Sequence, residues 1–304
     1  MRNIVTIDLG SNSFRVLVYD CLNFKPISEY NQVVGMADKL IQTGEISQDA
    51  INRVITAIND SSKKLGYDPK DAICVTTAAM RMAKNSNEVL SCLLKNTGAK
   101  FNIIDGKEEA RLTLLAVKYA LKREKLDSDN FILLDIGGGS TEIIINIKDR
   151  YFSKSFNFGI VTLTQKYSTY TDLIDDLETK KIDIKNFLSE LDIEENFEKF
   201  NFVATAGTPT TIAAIKLGQD FFHYDKEQVN GTKVKLSDLQ DCLDIFKNSN
   251  EHELLQLVGK GRVEFIEVGI YIYRAIFEVL NKKESIVLDD GLREGVAINQ
   301  CLIN

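Results

Sequence analysis

The sequence predicts a duplicated α/β fold, and two observations support this prediction. An acidic residue followed by glycine and hydroxyl residues occurs twice, as Asp8-Leu-Gly-Ser-Asn-Ser13 and Asp135-Ile-Gly-Gly-Gly-Ser-Thr141, 127 positions apart (135 minus 8). Each copy lies between two apolar runs of strand type, a pattern that indicates a β-hairpin. Strands then alternate with helices in both halves, as in α/β proteins. The repeat predicts two related half-domains with a phosphate-binding cleft between them.

The composition is that of a globular protein with two cores. The chain has 304 residues, of which 44% are hydrophobic and 27% are charged. No apolar stretch reaches the length of a membrane span, and no signal-peptide pattern precedes the first strand. The net charge of −7 disfavours nucleic-acid binding. The five scattered cysteines predict reduced, mostly buried thiols in a cytoplasmic protein. We therefore expect neither a membrane nor a nucleic acid as a partner.

The first half is expected to contain alternating strands and helices after a hairpin over residues 1–20. The apolar periodicity predicts helices over 47–65, 88–95 and 107–122, strands over 73–77 and 101–104, and a turn over 78–81. The charged stretch 122–130 is the predicted link between the halves.

The second half is predicted to repeat this order. A hairpin over 131–147 is followed by a strand over 151–158 and by helices up to residue 191. Further along, the sequence predicts strands over 202–205 and 285–288, helices over 210–216 and 263–280, and a final helix after residue 289.

Paired carboxylates lie beside the second motif. Glu142 follows Thr141 directly, and Asp135 lies seven positions earlier (142 minus 135), across the predicted turn. Both side chains are expected at the open end of the turn, where carboxylates beside phosphate oxygens suit Mg²⁺. Alone, Glu142 would be interpreted as a solvated strand residue, but its position beside the turn favours a site residue.

Three further segments are candidates for phosphate chemistry. In Gly106-Lys-Glu-Glu-Ala-Arg111, Glu108 or Glu109 either serves the dipole of the predicted helix or orients a water for attack on phosphorus. Arg81 either binds phosphate or is an ordinary surface arginine. The turn Ala206-Gly-Thr208 either contacts another phosphate or a ribose, or caps a helix.

Taken together, these segments resemble the exopolyphosphatase / guanosine pentaphosphate phosphohydrolase family of the actin-like ATPase superfamily. Each motif alone is weakly specific, whereas the ordered set is highly specific. The matching motifs are Asp8-Leu-Gly-Ser-Asn-Ser-Phe-Arg15, Thr77-Ala-Ala-Met-Arg81, Gly106-Lys-Glu-Glu-Ala-Arg-Leu112, Asp135-Ile-Gly-Gly-Gly-Ser-Thr-Glu142, Ala206-Gly-Thr208, Gly261-Arg262 with Gly269, and Gly291-Leu-Arg-Glu-Gly295.

The resemblance implies a particular α/β architecture. It consists of two duplicated ribonuclease H-like (actin-like ATPase) domains with an interdomain phosphate-binding cleft. Domain I would span residues 1–123, with a final helix over about 292–304 packed back on it, and domain II would span residues 124–304.

The resemblance also implies a metal-dependent phosphoanhydride hydrolase. Glu109, rather than Glu108, matches the catalytic glutamate. Asp135 and Glu142 match the carboxylates that position metal and water, and Asp8 matches the acidic residue of the first hairpin, a further catalytic and metal-binding residue. The substrate-binding residues that the resemblance implies are Gly10, Ser11, Asn12, Ser13, Arg15, Arg81, Gly137, Gly138, Gly139, Ser140, Thr141, Gly207 and Thr208.

The implied substrates share a terminal phosphoanhydride bond. They are inorganic polyphosphate, from which orthophosphate is released, and alternatively guanosine pentaphosphate (pppGpp), which yields ppGpp. Mg²⁺ or Mn²⁺ is the implied cofactor, and a homodimer is the implied assembly. Longer family members continue into an all-helical domain, whereas this chain ends at Asn304 and has no long Lys/Arg run. We therefore expect it to prefer short polyphosphate chains and to cut distributively.

Two other classes of function remain as alternatives. A small-molecule kinase of the same superfamily would need a purine pocket and an acceptor site, whereas the helix start at residues 106–111 favours water as the acceptor. A nucleotide-sensing regulator or an actin-like scaffold would keep the phosphate turns. It would have little reason to keep Glu109, Asp135 and Glu142 together.

Overall fold

Both halves of the chain contain the strands and helices that an α/β fold requires. The computed structural model describes residues 3–191, 193 and 197–303. The elements up to residue 123 are β1 (Asn3–Leu9), β2 (Ser13–Asp20), β3 (Lys25–Val33), α1 (Leu40–Thr43), α2 (Gln48–Leu65), β4 (Ile73–Thr76), α3 (Ala78–Met82), α4 (Ser86–Thr97), β5 (Phe101–Ile103) and α5 (Gly106–Arg123).

The rest of the chain begins with a second hairpin and ends with a helix. Its elements are β6 (Asn130–Ile136), β7 (Thr141–Ile147), β8 (Arg150–Phe156), α6 (Ile160–Lys166), α7 (Tyr170–Ser189), β9 (Asn201–Thr205), α8 (Gly207–Lys216), α9 (Lys226–Val229), β10 (Thr232–Lys235), α10 (Leu236–Asn248), α11 (Glu251–Val258), α12 (Val263–Leu280), β11 (Glu284–Val287) and α13 (Leu292–Ile303). Short 3₁₀ turns cover Pro69–Asp71 and Phe197–Lys199.

The two sheets repeat one strand order, and this confirms the duplicated α/β prediction. The first sheet runs β3-β2-β1-β4-β5, and the second runs β8-β7-β6-β9-β11, with β10 added at its outer edge. In the first sheet β3, β2 and β1 are antiparallel and β4 pairs in parallel with β1. In the second, β8, β7 and β6 are antiparallel and β9 pairs in parallel with β6. The turn of each hairpin therefore lies at the carboxyl end of the parallel strands, the edge where α/β sheets place their ligands.

The chain divides into two compact units. Unit 1 comprises Met1–Val117 and Asp290–Asn304, and unit 2 comprises Lys118–Asp289. The division at 117/118 lies inside α5, six residues before the boundary predicted at 123/124. Helix α13 belongs to unit 1, where Leu292 and Val296 form an apolar cluster with Val75 and Leu112.

The core of unit 2 is built on both faces of its sheet. Strands β6 and β7 are buried along most of their length, because helices cover both faces. Helix α12 is apolar nearly all round, and Tyr273 and Phe277 in its C-terminal half are fully buried against Phe202 of β9. Among the described residues, no helix is long and apolar enough to cross a membrane.

Periodicity located the long elements correctly but misjudged short ones. Helices α2, α5 and α12 match their predictions within one residue at each end. The predicted turn over 78–81 is wrong, because these residues open α3, where the N–H of Arg81 donates to the carbonyl of Thr77. Strand β3 was not predicted, because its sequence is polar and mostly exposed and it is defined by pairing with β2.

The cysteine prediction also needs a correction. Cys21, just after β2, forms a disulfide with Cys301 near the end of α13, although 280 positions separate them in sequence. Cys74 and Cys242 are the buried free thiols that were predicted, and Cys92 is a partly exposed free thiol. Scattered spacing gave no sign of the bond, because only the return of α13 to unit 1 brings the two cysteines together.

Candidate active site

The first hairpin turn is held by its own backbone and by the segment after β3. The N–H of Gly10 donates to the carbonyl of Ser13 over 2.9 Å. The carbonyls of Ser11 and Asn12 accept hydrogen bonds from N–H groups within residues 34–37. In the part of the chain that the structure describes, no main-chain bond uses the N–H of Ser11. With the carbonyls anchored elsewhere, the turn can present N–H groups to an anion.

The second turn repeats this arrangement closely. The N–H of Gly137 donates to the carbonyl of Ser140, again over 2.9 Å. The carbonyls of Gly137 and Gly138 accept from N–H groups of residues 160–162 at the start of α6. Within the described ranges, the N–H groups of Gly138 and Gly139 make no main-chain hydrogen bond. The two turns are therefore alike in their hydrogen bonds as well as in their sequences. This likeness supports the interpretation of both turns as anion sites.

A row of polar residues crosses the second sheet just below its turn. Asp135 pairs in register with Glu142 on β7 and with Thr205 on β9, and Glu142 pairs with Ser155 on β8. The hydroxyl of Ser155 donates to Glu142 Oε1 over 2.6 Å. Glu142 is only 1% exposed. Directly opposed carboxylates repel one another, so this pair is most stable beside a positive charge.

The corresponding row of unit 1 carries a different charge pattern. Asp8 pairs in register with Arg15, and Arg15 pairs with Asn31 on β3. Arg293, which is 4% exposed at the start of α13, donates to Asn31 Oδ1 over 2.8 Å and forms an ion pair with Glu29. Arg15 thus occupies the position that Glu142 has in unit 2. The guanidinium that lies opposite Asp8 is that of Arg15, because Arg293 is paired with Glu29 and Glu294. A guanidinium in this row suits a phosphate anion, and the metal-binding role of Asp8 stays a prediction.

The metal prediction can be compared with these donor sets. Among residues 3–191, 193 and 197–303, no group of three or more His, Cys, Asp or Glu side chains is placed to hold a metal. The pair Asp135 and Glu142 nevertheless fits the usual mode of Mg²⁺ in phosphoryl chemistry, in which one or two carboxylates act together with substrate oxygens and waters. The two carboxylates are therefore compatible with Mg²⁺ when substrate and water supply the remaining oxygens.

The two glutamates at the start of α5 have different surroundings. Glu109 is 8% exposed, and its Oε2 accepts a hydrogen bond from Arg81 Nη1 over 2.8 Å. The same Nη1 also donates to the carbonyl of Ile104, which fixes the guanidinium at the carboxyl edge of the sheet. The structure brings these two predicted site residues together, and Arg81 orients one oxygen of the Glu109 carboxylate.

Glu108, in contrast, is paired with an arginine of its own helix. Arg111 binds it through Nε and Nη2, both over 2.8 Å, and the same guanidinium donates to Asn299 of α13. The hydrogen bonds from Arg111 lower the pKa of Glu108 below its usual value. The guanidinium of Arg111 thus joins α5 to α13. Glu108 takes part in this structural contact, whereas Glu109 is held beside Arg81.

The third turn lies at the start of α8, next to Asp135. Ala206 has a φ of 74°, which is unusual for a residue other than glycine. A Cβ on Gly207 would meet nothing within 4 Å, so open space lies above that backbone. The Thr208 hydroxyl is buried against Gly269 and has no hydrogen-bond partner among the described residues. Ala206 is the N-cap residue of α8, as one of the two predicted roles requires, although no side chain makes a cap hydrogen bond there.

Several site neighbours were not found by sequence reasoning. Ser155, Asn31 and Thr205 reach the two rows only through strand pairing, and Arg293 arrives from the end of the chain. The family-like motif Gly291-Leu-Arg-Glu-Gly295 includes Arg293, so it is the part of the sequence from which a role for this arginine could have been predicted.

The sequence model of one protein family covers nearly the entire chain. The model of the Ppx/GppA phosphatase family matches residues 16–303. A crystal structure of the Aquifex aeolicus member of that family is similar over 99% of this chain and 98% of its own, with a TM-score of 0.75 and 26% identity.

Curated relatives carry three different descriptions. A bifunctional 3-dehydroquinate synthase/phosphatase of Fusobacterium nucleatum is 28% identical over 94% of this chain and 44% of its own length. A Haemophilus influenzae protein named "Putative exopolyphosphatase" is 26% identical over 97% of this chain and 90% of its own. The guanosine-5'-triphosphate,3'-diphosphate pyrophosphatase of Pseudoalteromonas atlantica is 26% identical over 95% of this chain and 57% of its own. The chain therefore spans about half the length of the first and third relatives.

Proposed function

Because the chain belongs to the Ppx/GppA phosphatase family, a family of phosphoanhydride hydrolases, we propose that it releases terminal orthophosphate from inorganic polyphosphate. The proposal rests on one observation above all. The chain carries a buried carboxylate oriented by an arginine, Glu109 with Arg81, and in its other unit an opposed carboxylate pair beneath a phosphate turn, Asp135 with Glu142. Hydrolysis of a polyanion needs both a group that handles water and a site that tolerates added negative charge.

The chemistry assigned to Glu109 is that of a general base. Its carboxylate orients a water molecule and accepts its proton while the water oxygen attacks the terminal phosphorus and the bridging P–O bond breaks. The hydrogen bond from Arg81 to Oε2 fixes the orientation of the Glu109 carboxylate for this step. Orthophosphate and a chain shorter by one phosphate are the products.

The turns stabilise the charge that develops on the transferred group. Backbone N–H groups of Ser11, Gly138 and Gly139 and the hydroxyls of Ser13 and Ser140 are the proposed donors to phosphate oxygens. We assign the cation to Asp135 and Glu142, where bound Mg²⁺ would neutralise charge on the phosphate oxygens.

A second substrate, pppGpp, is the alternative. The relative from Pseudoalteromonas atlantica is named for that reaction and is as similar to this chain as the one from Haemophilus influenzae. Both substrates end in the same phosphoanhydride, so the assigned residues serve either. The predicted homodimer, the cytoplasmic location and the use of Mn²⁺ stay predictions.

The test compares substrates side by side. Phosphate release is measured from long polyphosphate, short polyphosphate and pppGpp, each with Mg²⁺ and with a chelator. We expect Mg²⁺-dependent release, fastest from polyphosphate. If phosphate is released faster from pppGpp than from either polyphosphate, the order of the two substrates is reversed. If no phosphate is released from any of them, the proposed hydrolase is refuted.

A further inference from the structure

Helix α13 is attached to the rest of unit 1 along its whole length. At its start, the hydroxyl of Thr6 donates to the carbonyl of Arg293, whose guanidinium binds Asn31 and Glu29. Glu294 is 1% exposed and accepts from Arg293 Nε. The start of the helix is thus fixed to strands β1 and β3, the sheet that carries the Asp8 turn.

The middle of α13 lies directly against α5. A Cβ on Gly295 would come within 2.0 Å of the carbonyl oxygen of Leu112, so only glycine permits this approach. One turn later, Asn299 accepts two hydrogen bonds from Arg111. Leu112 and Arg111 follow Glu109 within one turn of α5, so α13 supports the helix that presents the proposed general base.

The end of α13 is attached covalently. Cys301 is bonded to Cys21, which follows β2, and their Cα atoms are 5.2 Å apart. Both residues are partly exposed, so the bond lies at the surface of unit 1 and not in its core. The neighbouring side chains of Leu302 and Ile303 are 56% and 70% exposed, so little apolar packing holds this end of the helix.

The remaining cysteines make this pair chemically distinct. Burial raises the pKa of the Cys74 and Cys242 thiols to about 12, so neither supplies much thiolate at neutral pH. Cys92 is partly exposed on α4. The chain therefore offers one accessible single thiol and one accessible pair.

We propose that Cys21 and Cys301 form a redox-sensitive clamp on α13, which a low-molecular-weight disulfide such as oxidised glutathione closes and a thiol opens. In closing, one cysteine thiolate attacks the reagent and releases one thiol, leaving a mixed disulfide. The second cysteine thiolate then attacks the protein sulfur and releases the second thiol. The two cysteines lose two electrons and two protons, and the reagent gains them.

The clamp acts on stability and on the support of Glu109. Because the bond closes a loop of nearly the whole chain, reduction restores much conformational freedom to the unfolded state. In the folded state, reduction leaves the end of α13 with the hydrogen bonds to Asn299 and the packing of Ala297 and Ile298, so local opening of its last turn becomes easier. Opening of α13 removes Asn299 from Arg111 and the packing of Leu292 and Val296 on Leu112.

The experiment first counts thiols and then follows α13. In the oxidised protein, one thiol, that of Cys92, should react rapidly with a maleimide, and after mild reduction three should react. Reduction should lower the Tm by about 5–10 °C and increase amide hydrogen exchange within residues 292–303. The matched variants are Cys301→Ser, which should behave as the reduced protein in either condition, and Cys92→Ser, which should keep the full redox response.

The activity measurement rests on the proposed function, and the exchange measurement does not. Turnover should fall about tenfold on reduction of the wild type, stay low in Cys301→Ser, and recover when the wild type is reoxidised. The clamp would be overturned if three thiols react in the oxidised protein. It would also be overturned if amide hydrogen exchange in α13 is the same in the oxidised and reduced proteins. Changed exchange with unchanged turnover would overturn its link to Glu109. Inactivity in both states would count against the hydrolase, and the exchange result would still decide the clamp.

Discussion

The two hairpins of this protein share a turn but differ in charge. In each, an aspartate precedes a glycine turn closed by the same backbone hydrogen bond, and a residue seven positions later lies opposite that aspartate. In unit 1 the opposite residue is Arg15, and in unit 2 it is Glu142. One row is balanced within itself, whereas the other concentrates negative charge. From this difference we expect the turn of unit 1 to bind mainly anions and the carboxylate pair of unit 2 to bind a cation.

The largest expected effect concerns the carboxylate that neither hairpin carries. Glu109→Gln should keep the fold and lower kcat about a hundred- to ten-thousand-fold, because the amide cannot accept the water proton. Steady-state phosphate release at saturating substrate measures it.

The adjacent residue supplies the matched control. Glu108→Gln removes the negative charge that pairs with Arg111, while Asn299 still accepts from the same guanidinium. An exposed ion pair of this kind contributes about 0.2–1 kcal/mol to stability. Glu108→Gln should leave kcat nearly unchanged. The reverse pattern, with Glu108→Gln inactive and Glu109→Gln active, would mean that the general base has been assigned to the wrong residue.

The second effect tests the cation site of unit 2. Asp135→Asn and Glu142→Gln should each raise the Mg²⁺ concentration for half-maximal activity about tenfold or more, since each removes a proposed carboxylate ligand. A Mg²⁺ titration measures the shift. Asp8→Asn is the matched variant in unit 1 and should shift the midpoint much less, because Arg15 lies opposite Asp8. Equal shifts of the Mg²⁺ midpoint in all three variants would show that the two units do not differ in metal binding and that Asp8 is a metal ligand too.

The third effect tests the anion site of unit 1. Arg15→Gln should raise KM about tenfold through loss of a charge-assisted contact with phosphate, and leave the Mg²⁺ midpoint unchanged. The KM of Arg15→Lys should lie between those of Arg15→Gln and the wild type, since lysine keeps the positive charge but loses the paired donors of the guanidinium. KM values at two salt concentrations measure it. A changed Mg²⁺ midpoint with constant KM would place Arg15 in the metal environment instead.

The smallest effect concerns the outer members of the two rows. Ser155→Ala removes the hydroxyl that donates to Glu142 and should raise the Mg²⁺ midpoint about fivefold, the value of one ordinary hydrogen bond. Asn31→Ala, its counterpart in unit 1, removes a partner of Arg293 and should change KM rather than the midpoint. If Asn31→Ala shifts the Mg²⁺ midpoint as well, the two rows do not act separately.

Sequence reasoning located the fold class, both turns and the long helices because these depend on local signals. The acidic residue, the glycines and the flanking apolar runs are contiguous, and α2, α5 and α12 carry periodicity over many turns. Short elements such as α3 and β3 escaped, since their state is decided by the segments that they contact. The choice of Glu109 over Glu108 came from family resemblance, and periodicity alone left it open.

The sequence by itself determined that this is a duplicated α/β protein with two glycine-containing turns and a carboxylate pair seven positions apart. Only the tertiary structure showed that Glu109 meets Arg81, that Glu108 is held by Arg111, and that Cys21 is bonded to Cys301. The physical reason is the range of the interactions. Turns and periodicity arise from neighbours along the chain, whereas ion pairs and disulfides join residues that strand pairing and the return of α13 bring together.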